Sequence, residues 1–394
     1  MNLRRWLAPD NVAVVGSIVG LGSFLLPWLN VKPNRVAAGT GLSLPDAAGG
    51  SGAAPILVLW LVCMALSFTV KGLWLRRALG LASNLVLVIT LVLAGSAARS
   101  LSESAGPFSR ISPDTGFWLA LVACYLLIFA SRRAGDASVL WRSLMSWSGL
   151  AVAAILLAAG WLNSLSIMQE LAIQGDRFRA ELWTHIILFA GSVAAGAAIG
   201  IPLGIMAERT RKAERPIFLI TSITETVPSL ALFGLLIPPL AALSFAFPAL
   251  REVGIRGIGA TPAIIALVIY SLLPIVRNTF VGLRGIDRGV IDAAAGIGMS
   301  PGQLFRRVKA PLAAPLVMDG VRTASVQAVG NAAVAALIGA GGLGAFIFQG
   351  FGQQAPDLIL LGALPIIALA VLVDAVMNAL VKLVTPRGVT RSAP

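Results

Sequence analysis

Histidine and cysteine are nearly missing from this chain: His185 is the single histidine, and Cys63 and Cys124 are the two cysteines. One histidine and two separated cysteines cannot build a zinc site of the usual kind. Both cysteines fall inside apolar runs and no C-x-x-C is present, so neither a disulfide framework nor a dithiol motif is expected. A Ser-His-Asp hydrolase would have to use His185, which sits at the start of an apolar run. A P-loop needs Gly-Lys-[Ser/Thr], because backbone amides and the lysine together hold the phosphates. The five lysines follow Val31, Val70, Arg211, Val308 and Val381, never a glycine. The chain is therefore not expected to hydrolyse ATP, and no enzymatic cluster is visible. Charge is scarce as well: 12% of residues are charged, against roughly 25% in a soluble protein.

What fills the chain instead is apolar. Hydrophobic residues make up 57% of it, in runs of about 20 residues, the length that crosses a bilayer core as a helix. The runs are continuous rather than alternating, so the fold class is all-α, a polytopic membrane protein with about ten transmembrane helices. The spans are expected near 12–30, 54–70, 79–97, 116–131, 144–162, 184–206, 216–237, 261–280, 315–338 and 357–383.

The net charge is +13. Such a balance suits nucleic acid, but it also follows from the excess of Lys and Arg in cytoplasmic loops. With the N-terminus inside, the inner segments hold 21 basic residues and the outer ones eight. The excess is spread over every inner loop and never gathered in one patch, which argues against a nucleic-acid partner and for N-in, C-in. Arg4 and Arg5 before the first run resemble a signal-peptide n-region, but no A-x-A site follows closely, so an uncleaved helix is expected.

The chain has two zones. All nine tryptophans lie at or before Trp183, several at span ends, where interfacial anchors belong. Beyond Trp183, Gly, Pro and small residues punctuate the spans. The expected division is a five-span extension over 1–165, an external linker over 166–183, a membrane core over 184–384 and a cytoplasmic tail over 385–394.

Between two apolar runs lies DAAAGIGMSPGQLFRRVKAPLA, residues 292–313. Ser300, Pro301 and Gln303 read as a helix start, with Ser at the N-cap, Pro at the first position and Gln three residues on. Pro311 is expected to end that helix. Asp292 to Ala295 form an earlier helical piece, broken at Gly296 and Gly298. The whole reads as two short helices joined at glycine on the cytoplasmic side. Ala293 and Ala294 would offer a small flat face, and Phe305 a protruding apolar anchor. A docking surface and a solvated basic loop both fit this pattern.

Asp292-Ala293-Ala294, Gly298 six residues after Asp292, and V-K-A-P ending at Pro311 thirteen residues after that glycine resemble the EAA motif of ABC-importer permeases. Asp292 stands where Glu is usual, and Ala310 where Leu is common. IGIPLGI (199–205), ETVPSLALFGLLIP (225–238), ALVIYSLLPIVRNT (266–279) and ALIGAGGLGAFIFQG (336–350) resemble the osmoprotectant branch of that family, for glycine betaine and choline. The N-terminal extension, with TGFWLA (115–120), resembles the longer YehY-type permeases.

The resemblance implies a C-terminal five-helix permease core in the bacterial inner membrane. It also implies an osmoprotectant substrate such as glycine betaine, a cytoplasmic ATPase docked at 292–311, a periplasmic substrate-binding protein, and a second permease chain, self or homologue. ATP would be used by a separate subunit, with no cofactor in this chain. Methionine or another small amine is the alternative substrate, and an independent secondary transporter the rival class.

Glycines Gly339, Gly341, Gly342 and Gly344 permit a bent, non-helical element, which the resemblance puts near the external gate; packing through small residues is the other reading. Glu225, three residues before Pro228, is expected at mid-membrane depth. An acid there costs roughly 2.5–3.5 kcal/mol, so it should face a partner or a cavity. It would line a cation path or serve as a protonated or paired structural acid. In the family, Gln is the more usual residue. Asp319 and Arg322 are spaced for an intrahelical ion pair, and Asp374 and Asn378 for an interhelical polar contact.

Overall fold

A computed structural model describes residues 9–34, 37–68, 72–106, 108–133, 138–252 and 254–386. Arg4 and Arg5, Arg35, Lys71, and all of the expected tail beyond Pro386 lie outside the described residues. The chain divides into two compact units: Met1–Ile173 with Gln354–Asp357, and Gln174–Gln353 with Leu358–Pro394. Among the described residues nine helices are long and apolar enough to span a membrane, with Asn11–Leu25 a shorter apolar helix.

The first unit holds α1 (Asn11–Gly22), α2 (Leu44–Ser67), α3 (Leu73–Ala105), α4 (Thr115–Arg132), α5 (Val139–Ala158) and α6 (Ser166–Ile173). Caps set the starts: Asp10 accepts from the amides of Val12 and Ala13 at 3.0 and 3.2 Å, satisfying donors that a helix leaves unpaired. The expected first span, 12–30, is corrected here. Its helix stops at Leu25 after a tight 3₁₀ turn, because Leu29–Lys32 leaves as strand β1. That strand pairs antiparallel with β2 (Thr40–Leu42) on one side and β3 (Arg110–Pro113) on the other. The mainly helical fold thus carries one small sheet, drawn from two segments that the charge pattern places on the same side. Trp28 and Trp60, 2% and 0% exposed, centre the interior of this unit.

The second unit holds α7 (Gly175–Arg209), α8 (Arg211–Thr226), α9 (Ser229–Ala246), α10 (Ala249–Glu252), α11 (Ala260–Arg284), α12 (Arg288–Gly296), α13 (Pro301–Leu304), α14 (Ala310–Val334), α15 (Gly344–Gln353) and α16 (Pro356–Val384). The stretch expected as a linker is helical: it forms α6 and the start of α7. With 35 residues, α7 runs about 52 Å, well beyond a 30 Å hydrocarbon core. It packs along α11 through glycines one turn apart. A Cβ on Gly196 would meet Ser271 Cβ at 2.7 Å, on Gly200 Ile275 Cγ2 at 3.0 Å, and on Gly204 Thr279 Cβ at 2.6 Å. Small residues let the two backbones approach.

The expected span 216–237 is two helices. Val227 is extended (φ −72°, ψ 126°) between α8 and α9. Pro228 supplies no amide to carry the ladder across, and the apolar run simply continues past the break. Tyr270 of α11 donates its hydroxyl to the freed carbonyl of Val227, the kind of replacement that backbone at membrane depth requires.

Candidate functional site

Residues 288–311 form the helix–glycine–helix element. Asp287 caps α12 by accepting from the Gly289 amide at 2.7 Å. The helix ends at Gly298, whose φ of 84° is costly for any residue with a Cβ. The Gly298 amide donates to Ala295 O at 2.9 Å and the Met299 amide to Ala294 O at 3.2 Å. This is a Schellman closure. The capping box is present: Gln303 N donates to Ser300 Oγ at 3.3 Å and Ser300 N to Gln303 Oε1 at 2.9 Å.

Three expectations for this element are corrected. Ala294 is 6% exposed, so of the alanine pair only Ala293, beside exposed Asp292, faces outward. Phe305 does not protrude: it is half-buried, with the Arg209 guanidinium 4.8 Å above its ring. The protruding apolar side chain is Ile297, 76% exposed, a position that turn chemistry at Gly298 forces outward. Pro311 does not end the helix. A wide π-turn over Phe305–Lys309 runs straight into α14. Shifting the ladder by one residue there absorbs the amide that proline lacks. Lys309 Nζ meets Glu208 Oε1 at 2.9 Å, and with Arg209 over Phe305 this ties the element to the end of α7.

The glycine loop is non-helical, as its composition suggests. Gly339, Gly341 and Gly342 have φ of 78°, 76° and 88°. Gly344 has an ordinary φ but no room, since a Cβ there would run into the carbonyl of Ala333. Two α7 side chains one turn apart hold the loop: Glu181, which was not singled out from the sequence, and His185, noted there only as the single histidine. Glu181 Oε2 accepts the Gly342 amide at 2.6 Å. His185, fully buried, pairs Nε2 with Val329 O at 3.1 Å, and its Nδ1 faces Gly342. Arg177 completes the contact, donating to Gln349 Oε1 at 2.6 Å and lying 4.8 Å over the Phe346 ring.

Glu225 lies in the last turn of α8, exposed, just before the Val227–Pro228 break, and Pro228 is exposed too. It is therefore not in the middle of a continuous span. Elsewhere in the membrane core, Arg322 makes the expected i,i+3 pair with Asp319 and a second, closer one that the spacing does not show. Its Nε bonds Asp374 Oδ1 at 2.7 Å, while Asp319 lies 3.9 Å away. Asp374 on α16 thus makes the expected interhelical contact, to Arg322 on α14. The pairing residues are 52 positions apart, which no spacing rule within one helix reveals.

Residues 200–388 match the family model described as the binding-protein-dependent transport system inner membrane component. The choline transport system permease protein OpuBB of Bacillus subtilis (strain 168) is 37% identical over 57% of this chain and 96% of its own. The chain belongs to the binding-protein-dependent permease family. Residues 9–168 of this permease match the model described as the N-terminal domain of the ABC transporter permease YehY. The carnitine transport permease protein OpuCB of Listeria monocytogenes is 38% identical to the permease over 55% of it and 91% of the relative. The osmoprotectant import permease protein OsmW of Salmonella typhimurium is 38% identical over 52% and 90%. A chain of the MetNI methionine ABC transporter, solved in inward-facing conformations, matches 53% of the permease and 96% of itself, at 25% identity and TM-score 0.47.

Proposed function

We propose that this permease forms the translocation path of an ABC importer for glycine betaine, choline, carnitine or a related quaternary amine. It works as a multi-pass protein of the bacterial inner membrane, N-in and C-in. Two permease chains, identical or homologous, pair around the path. A periplasmic binding protein delivers the solute from outside. ATPase subunits dock inside on residues 292–311, and ATP is bound and hydrolysed there, not in this chain. Closure of the ATPases would move the docked helices. The two access states then differ in how well nucleotide and loaded receptor fit each of them, and that difference drives the switch. Gly339, Gly341, Gly342 and Gly344 would serve the external gate, and Glu225 and Pro228 the path.

The observation that carries this reading is the 288–309 element. It is fully capped at both helix starts and anchored through Lys309 and Phe305, yet it leaves Ile297 exposed. A solvated loop has no need of a capping box, a Schellman turn and an ion pair. A lever that must transmit force does. Gly298→Pro removes both the left-handed residue and the amide given to Ala295. Ile297→Glu leaves the helices intact but charges the tip. Both variants should lose co-purification with the ATPase and its stimulated turnover. Normal assembly and betaine uptake in both would refute the docking role.

A further inference from the structure

We propose that the corner where α3 begins, α4 ends and α5 begins binds the phosphate of an anionic phospholipid, shared by Arg77 and Arg132. The corner belongs to the first unit, to which the transport reading assigns no partner. Three helix ends are closed on one another here. A Cβ on Gly80 of α3 would meet Ser131 Oγ of α4 at 2.9 Å and Met145 Sδ of α5 at 3.3 Å. Asn84 of α3 donates to Met145 Sδ at 3.4 Å, and Ser148 of α5 donates to Asn84 Oδ1. Arg77 lies one turn before Gly80 and Arg132 directly follows Ser131, so both stand at this corner. The Arg77 guanidinium lies 5.7 Å from the ring centroid of Trp74 and 5.5 Å from that of Trp141, one turn before Met145. Stacking of this kind holds a guanidinium in place but takes none of its N–H groups.

These donors want an acceptor. Arg77 Nε and Arg132 Nε are both buried, and neither has a hydrogen-bond partner among the described residues. A buried charged donor left unmet is costly. Arg132, in the last turn of α4, complements the helix dipole, but that gives its Nε no partner. Among the described residues the only acid at this end of the unit is Asp10, which already caps α1. Asp136, between α4 and α5, lies outside the described residues. Against it stand Arg76, Arg77, Arg132, Arg133 and Arg142, so the corner is strongly positive. The candidate spans begin or end here, at Leu73, Arg132 and Leu140, which puts the cluster at the edge of the apolar belt. Trp74, 80% exposed, sits where an interfacial tryptophan belongs. On the apolar side of it Leu81, Leu85 and Leu144 are exposed. One molecule answers both needs. Phosphate oxygens accept from guanidinium groups in pairs, while acyl chains cover the leucines. The excess of positive charge selects a headgroup of net negative charge over a zwitterionic one.

The test uses the full chain, stripped of lipid in detergent and offered phosphatidylglycerol or phosphatidylcholine. Native mass spectrometry reads the bound lipid, and thermal unfolding reads the fold. The parent should retain phosphatidylglycerol in preference to phosphatidylcholine and melt higher in its presence. Arg77→Gln with Arg132→Gln should weaken retention on the order of tenfold, as the loss of two charges at a membrane surface implies. Arg211→Gln with Lys212→Gln removes as much charge at the start of α8 and should bind as the parent does. Arg77→Lys keeps the charge but not the planar fork, and should still weaken retention several-fold. Should the double variant melt low without lipid, this milder change, with the parent's melting temperature, carries the test alone. The proposal is overturned if phosphatidylcholine is retained equally, if the α8 control loses as much lipid as the double variant, or if Arg77→Lys binds as the parent does. It is overturned too if inorganic phosphate displaces the lipid, which would make the site one for a free anion. A double variant that keeps its lipid but loses co-purification with the ATPase would make the corner a protein contact instead. Lipid retention is read without transport, so it stands or falls apart from the substrate assignment.

Discussion

The two units fill their interiors in opposite ways. The first is packed with bulk: Trp28 and Trp60 are buried, and Gly20 is left so close to the Trp60 ring that a Cβ has no place. The second unit brings backbones together by leaving side chains out, at Gly196, Gly200 and Gly204 on α7 against α11. It then interrupts its helices at Pro228, Gly298 and the glycine loop. Large interlocked side chains hold one arrangement because a dense core deforms poorly. Glycine seams and broken helices place the soft backbone at a few points, where rigid segments can move against one another. The OpuBB, OpuCB and OsmW relatives cover 52–57% of this permease with 90–96% of their own lengths. The family model matches residues 200–388, which contain all three of these interruptions.

The contrast breaks most visibly at Trp60. Trp60→Ala in the first unit empties a fully buried site and should cost about 3–5 kcal/mol. Thermal unfolding in detergent, followed by protease mapping, should show the loss confined to the first unit, with ATPase co-purification unchanged. An equal loss of ATPase binding would mean the two units are one cooperative structure. Gly204→Leu attacks the seam instead. Its Cβ alone would stand 2.6 Å from Thr279 Cβ and 2.8 Å from Val276 O, and overpacking of this kind costs roughly 1–3 kcal/mol. Lower thermal stability and poor assembly of the second unit are expected, with the first unit's protease pattern intact.

The features that could be read from the sequence were local. Apolar runs announced the helices, and Ser300, Gln303 and Gly298 announced their own turns, because capping and left-handed backbone are matters of a few adjacent residues. The features that escaped were of two sorts. Strands of three or four residues, such as Thr40–Leu42, are too short to show a period. Contacts such as Arg322 to Asp374 or Glu181 to Gly342 join residues brought together only by packing. The break at Val227–Pro228 is an intermediate case: Pro228 was a visible signal, but an unbroken apolar run overrode it. Phe305 fails for a related reason, since nothing near it in sequence tells of Arg209 above its ring.

A smaller effect sharpens the contrast at the glycine loop. Gly342→Ala must hold φ near 88°, costing about 1–2 kcal/mol, with its Cβ 3.1 Å from His185 Nδ1. Glu181→Gln keeps an acceptor for the Gly342 amide and removes only charge. Alanine should therefore lower the melting temperature and uptake together, while glutamine leaves melting nearly unchanged. If Gly342→Ala transports and melts as the parent does, the loop backbone is not held as described.

Glu225 should show the smallest change in stability and the most informative one in function. It sits exposed at the C-terminal end of α8, where a negative charge gains nothing from the helix dipole. Among the described residues it makes no hydrogen bond or ion pair. A carboxylate kept there without a structural reward fits an electrostatic role toward a passing cation. At 4 Å a unit charge pair is worth about 1 kcal/mol in bulk water and more as water is excluded. Glu225→Gln, which keeps the shape, should therefore lower uptake of a quaternary amine on the order of fivefold, with ATPase co-purification and melting temperature unchanged. Glu225→Leu should lower uptake at least as much and fold as well, since it deletes a polar group that bonds nothing in the chain. A structural acid behaves the other way: glutamine is tolerated, and leucine leaves a partner group unsatisfied and impairs assembly. Measuring uptake and assembly in both variants separates the two. Full uptake in Glu225→Gln would remove Glu225 from the path and leave the break at Val227–Pro228 as backbone architecture alone.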